Sequence, residues 1–169
     1  MNPDRSATPH PAPAAGGASF EKLASAVARH PFLQGFSKAQ LEQLARGAQL
    51  RDYQPAHLIF KQGDPARDFY LIEWGAISLT HAGLKGNTVI QTLTAGDALG
   101  WSWLFQPYGW HFNAMTAEPT RLVEFDGERL RQLCREQHDF GYEFMSRISQ
   151  VVIDRLQNTR RKIFKLTGG

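Results

Sequence analysis

One cysteine, Cys134, stands in 169 residues, and that scarcity excludes an intrachain disulfide, a four-thiolate zinc site and a cysteine-ligated iron–sulfur cluster. No run of about 18 apolar residues occurs, and the N-terminus lacks the basic-then-apolar pattern of a secretory signal. The expected protein is therefore cytoplasmic and without a membrane segment. The six histidines, His10, His30, His57, His81, His111 and His138, are scattered without an HxH pair or a His-x-x-x-His helix face, so neither a metal site nor haem ligation is expected. There is no Walker loop and no Ser-His-Asp or Cys-His grouping. No residue recommends an enzyme. Charge of one sign is also modest: the net value is +3, which permits weak attraction to polyanions without requiring it.

What is present falls into three blocks. Residues 1–18, "MNPDRSATPHPAPAAGGA", are rich in proline, alanine and glycine and read as a disordered tail. From Phe20, the helical spacing of Phe20, Leu23 and Val27 predicts a helix that breaks at Pro31 and Gly35. Ser37 with Gln40 three residues later makes a capping box for a second helix, whose buried stripe is Leu41, Leu44 and Ala45.

Short apolar runs follow at roughly ten-residue intervals: "HLIFK", "DFYLIEW", "AISLTH", "NTVIQTL" and "TRLVEF", separated by glycine, proline and asparagine turns. Such spacing predicts a mainly β sandwich or barrel over residues 19–137, with helices ahead of it. After Asp126 the period changes, and Cys134 is placed in a helix near the barrel. From 138 to the end, Phe144, Ile148, Val151, Val152, Leu156 and Ile163 form a stripe on one long helix, wider than a single barrel contact needs. This helix is expected to pack on the barrel and on a second copy of itself. The basic end "RRKIFK", Arg160–Lys165, reads as solvated charge, with a partner or nucleic-acid contact as the minority alternative.

The segment "PAHLIFKQGDPARDFYLIEWGAISL", Pro55 to Leu79, resembles the front of a cyclic-nucleotide-binding domain of the catabolite-activator type: a proline, an aliphatic, a phenylalanine, Gly-Asp, then a Tyr-x-Ile strand and glycine turn. The likeness runs on through Gly96-Asp97, Leu99-Gly100 and "DRLQNTRRK", Asp154 to Lys162, covering about 32–166. It implies a double-stranded β-helix (jelly-roll barrel) with flanking N-terminal helices and a long C-terminal dimerisation helix. It also implies a non-enzymatic ligand-sensing role, as a homodimer.

The resemblance places a phosphate-binding cassette in "LGWSWLFQPYGWHFNA", Leu99 to Ala114. A buried phosphate needs amide donors at a helix start and a cation. Gly100 matches the cassette glycine, Trp101 stands where the family has a glutamate, and Ser102, Trp103 and Leu104 follow. Trp110 stands at the arginine position, with Phe112 and Asn113 where a small residue and Ser or Thr are usual. Three readings stay open. In the first, Trp101, Trp103, Trp110 and Phe112 fill the pocket and cyclic-nucleotide binding is lost. In the second, the cavity takes another planar or apolar ligand, with His111 and Asn113 as polar handles. In the third, a cyclic nucleotide is held by backbone amides and His111; strand alternation, which sends Trp110 and His111 to opposite faces, opposes this.

In the long helix, Arg155-Leu156-Gln157 is followed by Asn158, Thr159 and Arg160. The resemblance places Thr159 against a purine; a tolerated interface threonine is the alternative. Arg160 is available to an anion or a partner helix. Arg155 reads as a partly buried interface arginine, and the expected dimer seam is Phe144, Ile148, Val152, Arg155, Thr159 and Ile163. No resident cofactor is expected. The candidate partners are a small molecule, another protein and a second copy. The helix-turn-helix reader of the family's transcription factors has no counterpart before Gly169, so sequence-specific DNA binding by this chain is not expected.

Overall fold

The computed structural model describes residues 17–83 and 86–166. The expected tail, 1–18, lies outside them except for Gly17 and Ala18, which open helix α1 (Gly17–Arg29). A 3-10 turn at Pro31–Leu33 leads to α2 (Lys38–Arg46). The capping box forms as read: the Gln40 amide donates to Ser37 Oγ at 3.3 Å, and the Ser37 amide donates to Gln40 Oε1 at 2.8 Å.

Eight strands follow: β1 (Ala48–Tyr53), β2 (Leu58–Phe60), β3 (Asp68–Trp74), β4 (Ala76–Gly83), β5 (Gly86–Thr94), β6 (Ala98–Leu99), β7 (Asn113–Thr116) and β8 (Thr120–Asp126). They form two antiparallel four-stranded sheets, ordered β1-β8-β3-β6 and β2-β7-β4-β5. This is the expected β-roll. Five strands coincide with the apolar runs. β1, β6 and β7 do not: β1 carries Arg51 and Asp52, while β6 and β7 are two and four residues long. Cross-strand pairing fixes these, with β1 in register against β8 from Ala48↔Phe125 to Tyr53↔Thr120.

Alternation along the strands divides the core into two compartments. Ile72, Ile77, Leu79, Leu99, Leu122 and Ala114 are buried between the sheets. Phe69, Val123 and Phe125 face the helices, where an aromatic cluster mounts α4 (His138–Leu166) on the roll. Phe144 lies at its centre, 5.4 Å from both Phe32 and Phe69 between ring centroids. Between the roll and α4 comes α3 (Gly127–Glu136), capped by Asp126 and carrying Cys134 half-buried. Burial raises that thiol to about 11, which keeps it protonated and unreactive.

The seam expected on α4 is corrected at two positions. Phe144 is 1% and Ile148 2% exposed within the single chain, both covered by its own roll and N-terminal elements, so neither remains on the surface for a partner. The outward stripe is different: Val152, Leu156 and Ile163 are exposed, with Thr159 between them.

Candidate functional site

The cassette stretch begins where β6 ends. Gly100 adopts φ +83°, a left-handed turn that aims the chain into a 3-10 turn at Ser102–Leu104. A Cβ at Gly100 would lie 2.9 Å from the Trp110 ring, so this position needs glycine for space as well as for φ.

The turn Gly63-Asp64-Pro65 holds the far side of the site. Gly63 N–H donates to the Trp110 carbonyl at 2.8 Å, and Trp110 N–H donates to the Asp64 carbonyl at 2.9 Å. This pair of backbone bonds fixes Trp110 from both sides and sends its ring inward. It lands flat on Phe60, with ring centroids 3.8 Å apart and planes at 9°. Tyr70 continues the cluster, 6.1 Å from Phe60 and 6.4 Å from Trp110.

The space left beside this stack is a cavity of about 20 Å³, bordered by Gly100, Trp101, Ser102, His111, Phe112 and Arg155 among others. Small-molecule sites run to about 300–1,000 Å³; the remaining space is that of roughly one water. Trp110 is 6% exposed, its ring buried between Phe60 and Gly100.

The cation here comes from the long helix. Arg155 reaches back from α4, donates from Nη2 to the Ala98 carbonyl, and stacks its guanidinium 4.4 Å over the Trp101 ring centroid. Burial lowers it to about 10, with Asp97 acting weakly the other way; it stays charged at neutral pH. Arg155 thus joins α4 to the residue standing at the cassette's glutamate position.

Several expected site residues lie elsewhere. Trp103 is fully buried and belongs to the aromatic cluster, 6.0 Å from Phe69 and 6.1 Å from Phe144, rather than to the pocket. Leu104 packs on the same core. Asn113 Oδ1 accepts from Gln62 N–H at 2.9 Å and its Nδ2 donates to Thr80 Oγ1 at 3.4 Å, so it ties the turn after β2 to β4 and does not border the cavity. Thr159 donates to its own helix at the Arg155 carbonyl, and both it and Arg160 are exposed, clear of the cavity within one chain. Residue 110 is irregular and 111–112 form a bend, so none of them is in a strand. Alternation therefore does not separate Trp110 from His111: both border the cavity, with His111 exposed at its rim.

Two contributors were not expected at the site. Phe60 sits in a recognised strand, but nothing in its spacing distinguishes a ring that will stack from one that will pack. Arg155 reads as an interface residue because its separation of 57 positions from Ala98 conceals the contact. Among the described residues no group of three or more His, Cys, Asp or Glu could hold a metal, and no helix is long and apolar enough to cross a membrane.

Two four-stranded antiparallel sheets closed by a long helix make the β-roll that regulatory domains use. Comparison with known proteins makes this specific: the family model described as the cyclic nucleotide-binding domain matches residues 50–137, and the chain belongs to that family. It is 32% identical over 144 residues to Glutaminase 1 of Bradyrhizobium diazoefficiens, covering 83% of this chain and 22% of that protein. The chain thus spans about a fifth of that relative's length. A solved structure from Geobacter metallireducens GS-15, named for cyclic-nucleotide binding, matches at TM-score 0.69 and 25% identity, covering 82% of this chain and 98% of the other. A cyclic nucleotide-binding domain from Methylobacillus flagellatus KT shares the fold at TM-score 0.74 and 20% identity, covering 89% and 85%.

Proposed function

We propose that this domain is a non-enzymatic regulatory module whose cassette is filled by its own side chains, and that it does not bind cyclic AMP in the family's usual way. The observation that carries this is the Trp110 ring stacked at 3.8 Å on Phe60, with about 20 Å³ left beside it. The charges a cyclic phosphate and ribose require are replaced by Trp110 and Trp101, and Arg155 faces the Trp101 ring instead of an anion. A closed cassette with α4 already latched to it holds the helix in one arrangement without a ligand. Signalling by ligand needs differential affinity for two arrangements, and the filled pocket removes that difference.

The module acts as a homodimer through α4. Supporting this, the helix carries two distinct stripes: Phe140, Phe144, Ile148 and Val151 lie against the chain's own body, while Val152, Leu156, Thr159 and Ile163 recur at three- and four-residue spacing on another face. The match to one segment of a longer glutaminase supports a domain that reports to another polypeptide or segment, with a protein partner as the receiver. The basic turn Arg160–Arg161 makes a polyanion contact secondary to that.

The test is thermal unfolding against millimolar cyclic AMP, cyclic GMP and cyclic dinucleotides, with tryptophan fluorescence alongside. Binding to the folded state raises stability by RT ln(1 + [L]/Kd). No displacement of the midpoint is expected. A saturable rise with any of them would refute the filled-cassette reading and make Arg155 and the backbone amides the replacement for the missing arginine.

A further inference from the structure

Arg155 has a second side. Beyond the cassette, it also borders a groove of about 260 Å³ between the Gly96–Ala98 segment and α4, whose walls include Arg147, Asp97, Asp154 and Asn158 over a floor of Phe32 and Val151. We propose that this groove is a binding site for a small zwitterion of the α-amino-acid class, distinct from the cassette and sharing only Arg155 with it.

The unused donors of Arg155 are the first reason. A guanidinium carries five N–H donors, yet among the described residues this one makes a single hydrogen bond, to the Ala98 carbonyl, besides its contact with the Trp101 face. Among the described residues no carboxylate lies within ion-pair distance of it, Asp97 acting on it only at longer range, although its side chain is partly buried. Buried charges are costly unless paired and hydrogen-bonded, and an incoming carboxylate in the groove offsets that cost with bidentate geometry.

The second reason is the opposing carboxylates. Asp154 accepts one hydrogen bond, from Gln150 Nε2 to Oδ1 at 2.9 Å, and Asp97 accepts one, from Thr94 N–H to Oδ2 at 2.8 Å. Each has a second oxygen left for an ammonium. Arg147 is already engaged by Glu143 at 2.8 Å and by the Gln34 carbonyl, so the charged groups with capacity left on the groove are one cation, Arg155, and two carboxylates, Asp97 and Asp154. That selects a ligand carrying both signs over a nucleotide or a polyamine. The volume lies just below the range of drug-sized ligands, which sets the size at a single amino acid.

The third reason is position. At about 100° per residue, Arg147, Asp154 and Asn158 fall on the flank of α4 roughly opposite the Val152, Leu156 and Thr159 stripe. A second copy on that stripe leaves the groove open. Because Arg155 touches Trp101 on its other side, occupancy of the groove is reported at the cassette by tryptophan fluorescence.

The experiment screens the standard L-amino acids at millimolar concentration by thermal unfolding of the intact chain, then titrates the strongest by tryptophan fluorescence. Its N-acetyl and carboxamide derivatives, which each lack one charge, serve as controls. A saturable signal from the zwitterion is expected, weakened at least tenfold in either derivative and in Asp154→Ala, an exposed position where folding is retained. Asn158→Arg, which narrows the groove without touching Asp154, gives the same loss. The proposal falls if no amino acid moves the midpoint of a cooperatively melting chain. It also falls if Asp154→Ala and Asn158→Arg bind as the parent does. Cyclic nucleotides enter neither arm, so the outcome is separate from that of the filled-cassette reading.

Discussion

Trp110→Ala tests the proposal that this ring fills the cassette, and its effect can be sized from the packing. The side chain is 6% exposed, stacked on Phe60 and adjoining Tyr70, with its backbone pinned by two hydrogen bonds to the Gly63–Asp64 turn. The pinned backbone prevents the loop from collapsing into the space. The full cavity cost then applies, about 3–5 kcal/mol for an aromatic truncated to alanine. For a chain of this size each kcal/mol moves Tm by about 2–4 °C, so a fall of roughly 6–20 °C is expected. Urea unfolding gives the free energy directly, and a Phe60→Leu, Trp110→Leu cycle isolates the stack, for which about 0.5–1.5 kcal/mol of coupling is expected. The vacated space is apolar and dry, so millimolar indole should restore part of the lost stability. A loss below about 1 kcal/mol, or a variant indifferent to indole, would show that the ring does not fill the site.

Three further outcomes follow from the same structure. Trp103→Ala should cost about 3–5 kcal/mol without creating an indole-responsive cassette, because this ring packs on Phe69 and Phe144; recovery with indole equal to that of the Trp110 variant would contradict the assignment of the two rings. Val152→Asp should yield monomers in sedimentation, and a persisting dimer would move the interface off the exposed α4 stripe. His30 is 4% exposed, accepts from Phe32 N–H at Nδ1 and donates from Nε2 to the Ile72 carbonyl, so it is held neutral, with burial lowering its pKa below 6.5 despite the Ile72 bond and Asp97. The unfolded chain takes up this proton first as pH falls, so the stabilisation is complete above about 6.5 and is lost below it, toward the depressed folded-state value. Urea midpoints at about pH 7 and pH 5 should therefore separate more for the parent than for His30→Asn, and equal separations would refute the neutral tautomer.

Much of the roll is written in local pattern. "DFYLIEW" is β3 residue for residue, and Ser37 with Gln40 forms the box that its spacing announces, because alternation and capping are set by neighbours a few positions apart. β1 escapes that pattern because Arg51 pairs at 3.1 Å with Glu124, buried on β8, and so carries charge where a strand normally shows an apolar residue. The cluster of rings at Trp101, Trp103 and Trp110 was legible in the sequence. Where each ring would go was not: the three share one short stretch, yet one stacks on an arginine, one enters the helix-facing core and one lies flat on Phe60.

The sequence by itself determined the roll and the helices around it, since each depends on residue type and short-range order. Tertiary structure alone decided that Trp110 meets Phe60, that Phe144 and Ile148 face inward, and that Arg155 crosses to Ala98. Those contacts join residues some 50 positions apart or depend on which face of a helix meets the roll. Burial and pairing across such distances are fixed only when the sheets close and α4 docks, because the choice among equivalent rings is made by shape and by which backbone groups hold them.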